Sequence, residues 1–230
     1  MESLTQVCPW ANFEAATSIF CERRLCHWIV EPANTWSNIS YFIAAIIIFR
    51  QNRNSKNSEL NLIALTAFLV GIGSTLFHAT GTRWGEIIDV SAMYLISSLF
   101  IVFGLRRSVS LSKIYLVIVY ALLAGLSSLF LLLSRSSGIK LFALHITLAG
   151  LLEIFYFRKT TVKANYKFMR YMVIGFSVAY TSWFLDFHGI LCNPDNHVLG
   201  GHAIWHLINA TCLWSYFKYQ EQFSASPASR

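Results

Sequence analysis

The sequence predicts an all-α, polytopic membrane protein built as a bundle of seven transmembrane helices, and composition and apolar spacing carry that expectation. Of 230 residues, 55% are hydrophobic and 13% charged, with a mean hydropathy of +0.51. A soluble domain carries about 25% charged residues. The apolar residues gather into seven runs, each near the ~20 residues that a helix needs to cross about 30 Å of hydrocarbon, although the first is short. A barrel would show alternation in segments of ~10 residues, and these runs do not alternate.

In chain order, residues 1–33 begin too polar for a secretory signal, and Cys21-Glu22-Arg23-Arg24 interrupts any apolar core. They are expected to form an extramembrane segment lying against the outer face. The bundle then occupies 34–218, with spans at 36–49 (extended backward by the polar Asn34-Thr35), 61–79, 86–104, 113–133, 139–157, 168–187 and 200–217. Residues 219–230 are expected to be a flexible cytosolic tail, small and polar at its end.

Basic residues collect on the cytosolic side of membranes. With the N-terminus outside or lumenal and the C-terminus cytosolic, the inner side holds Arg50, Arg53, Lys56, Arg106, Arg107, Lys113, Arg158, Lys159, Lys163, Lys167, Arg170, Lys218 and Arg230, which are 13 of the 18 Lys and Arg. The outer side keeps Arg23, Arg24, Arg83, Arg135 and Lys140. This asymmetry accounts for the net charge of +7, with anionic inner-leaflet lipids as its counterpart. No basic face interleaved with aromatics is present, so nucleic-acid binding is not expected. No obligate protein partner is indicated, and a bacterial inner membrane and a eukaryotic endomembrane fit equally well. The tryptophans Trp28, Trp36, Trp84, Trp183, Trp205 and Trp214 suit interfacial belts, and in part pocket walls.

Against this apolar background, a few ionisable residues share one depth. His202 and His206 lie four apart, on one helix face and one turn from each other. They sit at the outer start of the seventh span. His78 closes the second span at the same level, Ser74 lies one turn before it, and Asp89 begins the third span after the Gly81–Gly85 turn. Ionisable groups inside a bilayer are costly and mark functional sites. The plainer alternative is that each satisfies a neighbour across a helix interface. Three imidazoles with an open fourth position describe a catalytic zinc site, in which a bound water is acidified to a pKa of about 7. Asp89 would then take or orient the water's proton, and Ser74 would donate to an oxyanion. The expected reaction is zinc-assisted hydrolysis of an acyl bond at the membrane boundary. Asp186 and His188, at the outer end of the sixth span, are read as helix-end caps or as groups that orient the ligands. Asp195, Asn196 and His197 read as a polar outer loop. Glu153 is expected to pair with a base on the inner side, and His145 has no evident partner at the zinc level.

These residues resemble the alkaline ceramidases, within the superfamily of seven-helix membrane hydrolases that includes lipid-remodelling enzymes and adiponectin-receptor-like proteins. The resembling stretches are Cys21-Glu22, Glu31-Pro-Ala-Asn-Thr-Trp-Ser-Asn38, Ser74-Thr-Leu-Phe-His78, Asp89 and His202-Ala-Ile-Trp-His206. The resemblance implies zinc on His78, His202 and His206, with Asp89 and Ser74 matching the catalytic carboxylate and serine. It implies hydrolysis of a ceramide-like lipid to a sphingoid base and a fatty acid. It also implies a weak calcium site at Glu22 and Glu31. Here, however, Arg24 stands where an Asn ligand is expected and Ile19 where an Asp is expected. Calcium takes six to eight oxygens and a guanidinium opposes it, so Arg23 or Arg24 pairing with Glu22 or Glu31 is the expected substitute. Of the five cysteines, Cys21, Cys26 and Cys192 face outward and permit one disulfide in an oxidising compartment. The resemblance favours Cys21 with Cys192, and free buried thiols are the alternative.

Two other functions stay open on the sequence. One keeps the metal but cleaves esters, as a phospholipase or lipid-remodelling enzyme. The other is a seven-helix receptor or transport protein with structural zinc.

Overall fold

A computed structural model of the chain describes residues 7–55, 57–134, 137–160 and 164–224. Lys56, Arg135, Lys163 and Arg230 of the charge pattern lie outside the described residues, as does 225–230 of the expected tail. The described residues form a non-helical N-terminal segment followed by a set of helices, with one isolated antiparallel bridge between Ala15 and Thr82. The helices are α1 (Pro32–Trp36), α2 (Ile39–Asn52), α3 (Asn61–Thr80), α4 (Arg83–Ser108), α5 (Lys113–Leu133), α6 (Gly138–Lys159), α7 (Lys167–Phe187) and α8 (Gly201–Ser224), with a 3-10 turn at Ser58–Leu60. The turn leading into α3, α3 itself, α4, α5 and α6 provide four stretches long and apolar enough to cross a membrane. At 14 residues α2 is short for a span, and α7 and α8 are long but more polar.

Where one continuous first helix was expected, the chain breaks at Ser37-Asn38. The cause is local: Ser37 Oγ and Asn38 Nδ2 both donate to the Asn34 carbonyl, at 3.1 and 2.9 Å. Such short polar side chains offer the backbone an alternative to the helical ladder. At the other terminus α8 runs to Ser224, so helix continues through the first residues of the expected tail.

α3 is central, touching α1, α2, α4 and α8, while α4 carries α5 and α6 on its far side and α7 packs on α8. α6 and α7 meet, at most, at isolated points. Two close approaches bring the site-bearing helices together. A Cβ on Gly73 would stand 2.9 Å from Cα of Asp89, and one on Gly85 would stand 2.9 Å from Cα of Phe77. α3 and α4 therefore meet backbone to backbone, as small residues allow in membranes. α3 ends on Gly81 in the left-handed region, φ 63°, where glycine carries no Cβ penalty. The side chain of Thr82 then caps α4 by accepting from Gly85 N.

The bundle has two chemically distinct ends. At one, Arg106 pairs with Glu59 and Arg107 with Glu153 and Gln220, joining α4, α6 and α8 to the turn before α3. At the other lie the N-terminal segment and both disulfides, Cys8–Cys26 and Cys21–Cys192. Cys8–Cys26 was not anticipated, because Cys8 belongs to a stretch with no helical depth to place it. The segment is docked by Ala16 N to Gly81 O and Val30 N to Ala79 O, both 3.0 Å.

Candidate metal centre

The end of α3 and the start of α8 bring His78, His202 and His206 together, all buried, with one ligand atom of each within 4.8 Å of the others. His78 Nε2 and His202 Nε2 are 3.1 Å apart. Nitrogens bound about 2.0–2.1 Å from one tetrahedral ion stand roughly 3.4 Å from each other, so the spacing is that of co-ligands.

The outer nitrogens explain which face each ring presents. Glu31 Oε2 lies 2.7 Å from His78 Nδ1. An ionised carboxylate only accepts, so Nδ1 carries the proton and Nε2 is bare. Ser37 Oγ lies 2.8 Å from His206 Nδ1 and directs its own hydrogen to Asn34 O. His206 Nδ1 therefore donates as well, leaving Nε2 bare and 3.3 Å from Ser74 Oγ. Two lone pairs converging in a dry layer repel unless a cation or a proton lies between them. His202 differs: its Nδ1 is buried without a partner, and its ring is held by stacking on Phe20 at 3.7 Å between centroids. Its backbone N donates to Asp186 Oδ2, whose other oxygen accepts from Cys21 N. The donor set thus suits a metal ion that accepts imidazole ligands.

Glu31 itself is fully buried. Burial works against its charge, but the hydrogen bond from His78 and the Arg24 guanidinium outweigh that and hold its carboxyl below the ordinary range.

Asp89 is buried on α4, its backbone against Gly73, the residue before Ser74. It lies within electrostatic range of His78. Its carboxylate is not among the groups converging within 4.8 Å, which leaves it beside the triad and not in it. His188 stands apart, its N closing α7 on Phe184 O and its ring against Phe184.

The two acids implied as calcium ligands do not fit that ion. Glu22 accepts from Ala33 N and Asn34 N at the start of α1, and its Oε1 also faces His197 Nδ1 at 2.9 Å. Glu31 receives Arg24 Nε, Asn34 Nδ2 and His78 Nδ1. Hydrogen-bond donors face both carboxylates where a calcium ion would need further oxygens.

Glu31 as the brace of His78, Ser37 as the brace of His206, and Phe20 over His202 were not legible from spacing. The one local signal was Glu31 before Pro32 at a helix start.

Two comparisons with known proteins bear on the family. The family model described as Ceramidase matches residues 14–229. A human protein named Alkaline ceramidase 1 is 24% identical over 196 residues, covering 78% of this chain and 71% of that protein.

Proposed function

The chain belongs to the ceramidase family, and from that premise we propose that it is an integral-membrane, zinc-dependent amidase that hydrolyses ceramide-like sphingolipids to a sphingoid base and a free fatty acid. The observation that carries the metal is the convergence of His78, His202 and His206, with two of their outer nitrogens braced by Glu31 and Ser37. This is the carboxylate–histidine arrangement that fixes tautomer and ring orientation at metal sites.

Seven spans with the N-terminus outside or lumenal agree with the basic residues at one end and the disulfides at the other. The metal layer then lies near the outer headgroups, where a ceramide amide resides. A two-tailed lipid would reach that layer laterally, between helices.

A zinc ion on three imidazoles supplies Lewis acidity, which acidifies water and polarises a carbonyl. The chain's own groups do the rest. Asp89 takes a proton from the attacking water as its oxygen bonds to the amide carbon, and returns it to the departing nitrogen. Ser74 Oγ, beside His206 Nε2, donates to the carbonyl oxygen as it gains charge. Glu31 and Ser37 keep the imidazoles from turning, and Phe20 keeps bulk water off His202.

The test is metal analysis of purified protein together with turnover of a fluorescent ceramide. About one zinc per chain, with metal and turnover both lost in His206→Ala, is the expected outcome. Turnover kept in a folded, metal-free His206→Ala protein overturns the mechanism. Cleavage of ester lipids with no amide cleavage would move the same site to lipid remodelling.

A further inference from the structure

We infer that Arg24 is a positioning residue of the metal centre: it fixes Glu31, and through Glu31 the ring of His78, so that the centre needs no calcium ion. This rests on the zinc reading above. Arg24 reaches in from the N-terminal segment with its side chain 26% exposed, and its Nε lies 3.0 Å from Glu31 Oε1. The opposite oxygen, Oε2, holds His78 Nδ1 at 2.7 Å and Asn34 Nδ2 at 3.2 Å. One carboxylate therefore bridges a fixed cation to a metal ligand. The guanidinium is itself anchored, since Nη2 donates to Ser18 O at 3.1 Å. It also lies against the Gly81 turn that ends the His78 helix, where a Cβ would stand 3.6 Å from Arg24 Cζ. The backbone repeats the connection, with Glu31 N donating to His78 O at 3.0 Å.

A fully buried carboxylate needs a cation, and breaking a buried pair by removing one partner leaves an uncompensated charge. When His78 is a metal ligand its imidazole is neutral, so the positive charge facing Glu31 on its other side comes from Arg24. A bound divalent cation could serve the same purpose. Here the arginine already occupies Oε1 of Glu31, and the oxygens of Glu22 are taken by two helix amides and His197. The chain carries its counter-cation covalently. Arginine suits the task better than lysine, because Nε and Nη2 reach two acceptors in one rigid fork.

The neighbouring Arg23 is the internal control. It has the same charge and belongs to the same segment, but it pairs with Asp195 where both side chains are more than 60% exposed.

The experiment measures zinc affinity of the purified full-length protein by competition with a chromophoric chelator, for wild type, Arg24→Ala, Arg24→Lys and Arg23→Ala. Melting of calcium-free wild type is followed with and without about 1 mM calcium, enough to fill weak extracellular-type sites. The expected result is a loss of up to about 10-fold in zinc affinity for Arg24→Ala, the lower end of the range seen when the direct outer partner of a metal ligand is removed. Arg24→Lys should recover part of it, Arg23→Ala should match wild type, and calcium should leave the melt unmoved. Wild-type zinc affinity in folded Arg24→Ala overturns the inference, as does a calcium-dependent rise in wild-type melting temperature. If Arg24→Ala does not fold, Arg24→Lys against Arg23→Ala decides, and equal affinities count against it. Wild type that binds no zinc refutes the parent reading instead, so the two failures are distinguishable.

Discussion

Two buried histidine sites stand in this bundle, and they are built oppositely. His145, on α6, is closed on both sides: Ser97 Oγ lies 2.9 Å from its Nδ1 and Ser127 Oγ 3.1 Å from its Nε2. Nothing is left over for a ligand, and α4, α5 and α6 are joined. At the other site, the outer nitrogens of His78 and His206 are held by Glu31 and Ser37, and the inner nitrogens face one point together with His202, with Ser74 Oγ 3.3 Å from that of His206. Burial of a histidine is therefore not the mark of a functional site in a membrane. The mark is a set of rings whose inner nitrogens converge on one point, two of them with the outer nitrogen fixed.

The largest test of this contrast is His78→Ala. It should remove both metal and ceramide turnover while helical circular dichroism stays unchanged, and turnover that persists would place the chemistry elsewhere. Next come the groups beside the triad. Asp89→Asn should lower kcat by about 10²–10⁴-fold and Ser74→Ala by about 10²–10³-fold, each with zinc content at the wild-type level by metal analysis. Loss of zinc in either would make that residue a ligand. Cys21→Ser should lower stability by about 2–4 kcal/mol, read as a lower midpoint of thermal unfolding in detergent. Reductant should shift wild type in the same direction. The smallest effect is expected at the closed site: Ser127→Ala should cost about 0.6–1.7 kcal/mol, as single interhelical hydrogen bonds do. Its turnover should be unchanged, and a large activity loss there would erase the distinction between the two histidine sites.

What the sequence made legible follows from what lipid demands. Hydrocarbon requires long apolar helices, so α3 through α7 were expected within a few residues of where they lie. The break at Ser37-Asn38 was hidden, because it depends on two side chains turning back on Asn34, which an average over many residues smooths away. Topological depth was enough to group His78, His202 and His206, since each lies near a helix end. It could not reveal that Glu31 braces His78 across 47 residues, because that contact depends on how a non-helical segment folds over the bundle. The resemblance implied calcium at Glu22 and Glu31, and the departure at Arg24 already pointed to the internal pairing found between Arg24 and Glu31. Asp186 proved to bind the backbone of His202 and not an imidazole, and His197, read as loop, pairs with Glu22. Glu153 found its inner-side base in Arg107.

The Cys21–Cys192 bond also sets an order of events during biosynthesis. It spans 171 residues, whereas Cys8–Cys26 spans 18 and lies wholly within the N-terminal segment. At about 5–20 residues per second, Cys21 waits roughly ten to thirty seconds for its partner to emerge. During that interval Phe20 and Arg24 are not yet tied to the loop before α8, and two of the three histidines have not been translated. The three histidines can therefore come together only after the segment that holds His78 and the helix that holds His202 and His206 have both been made.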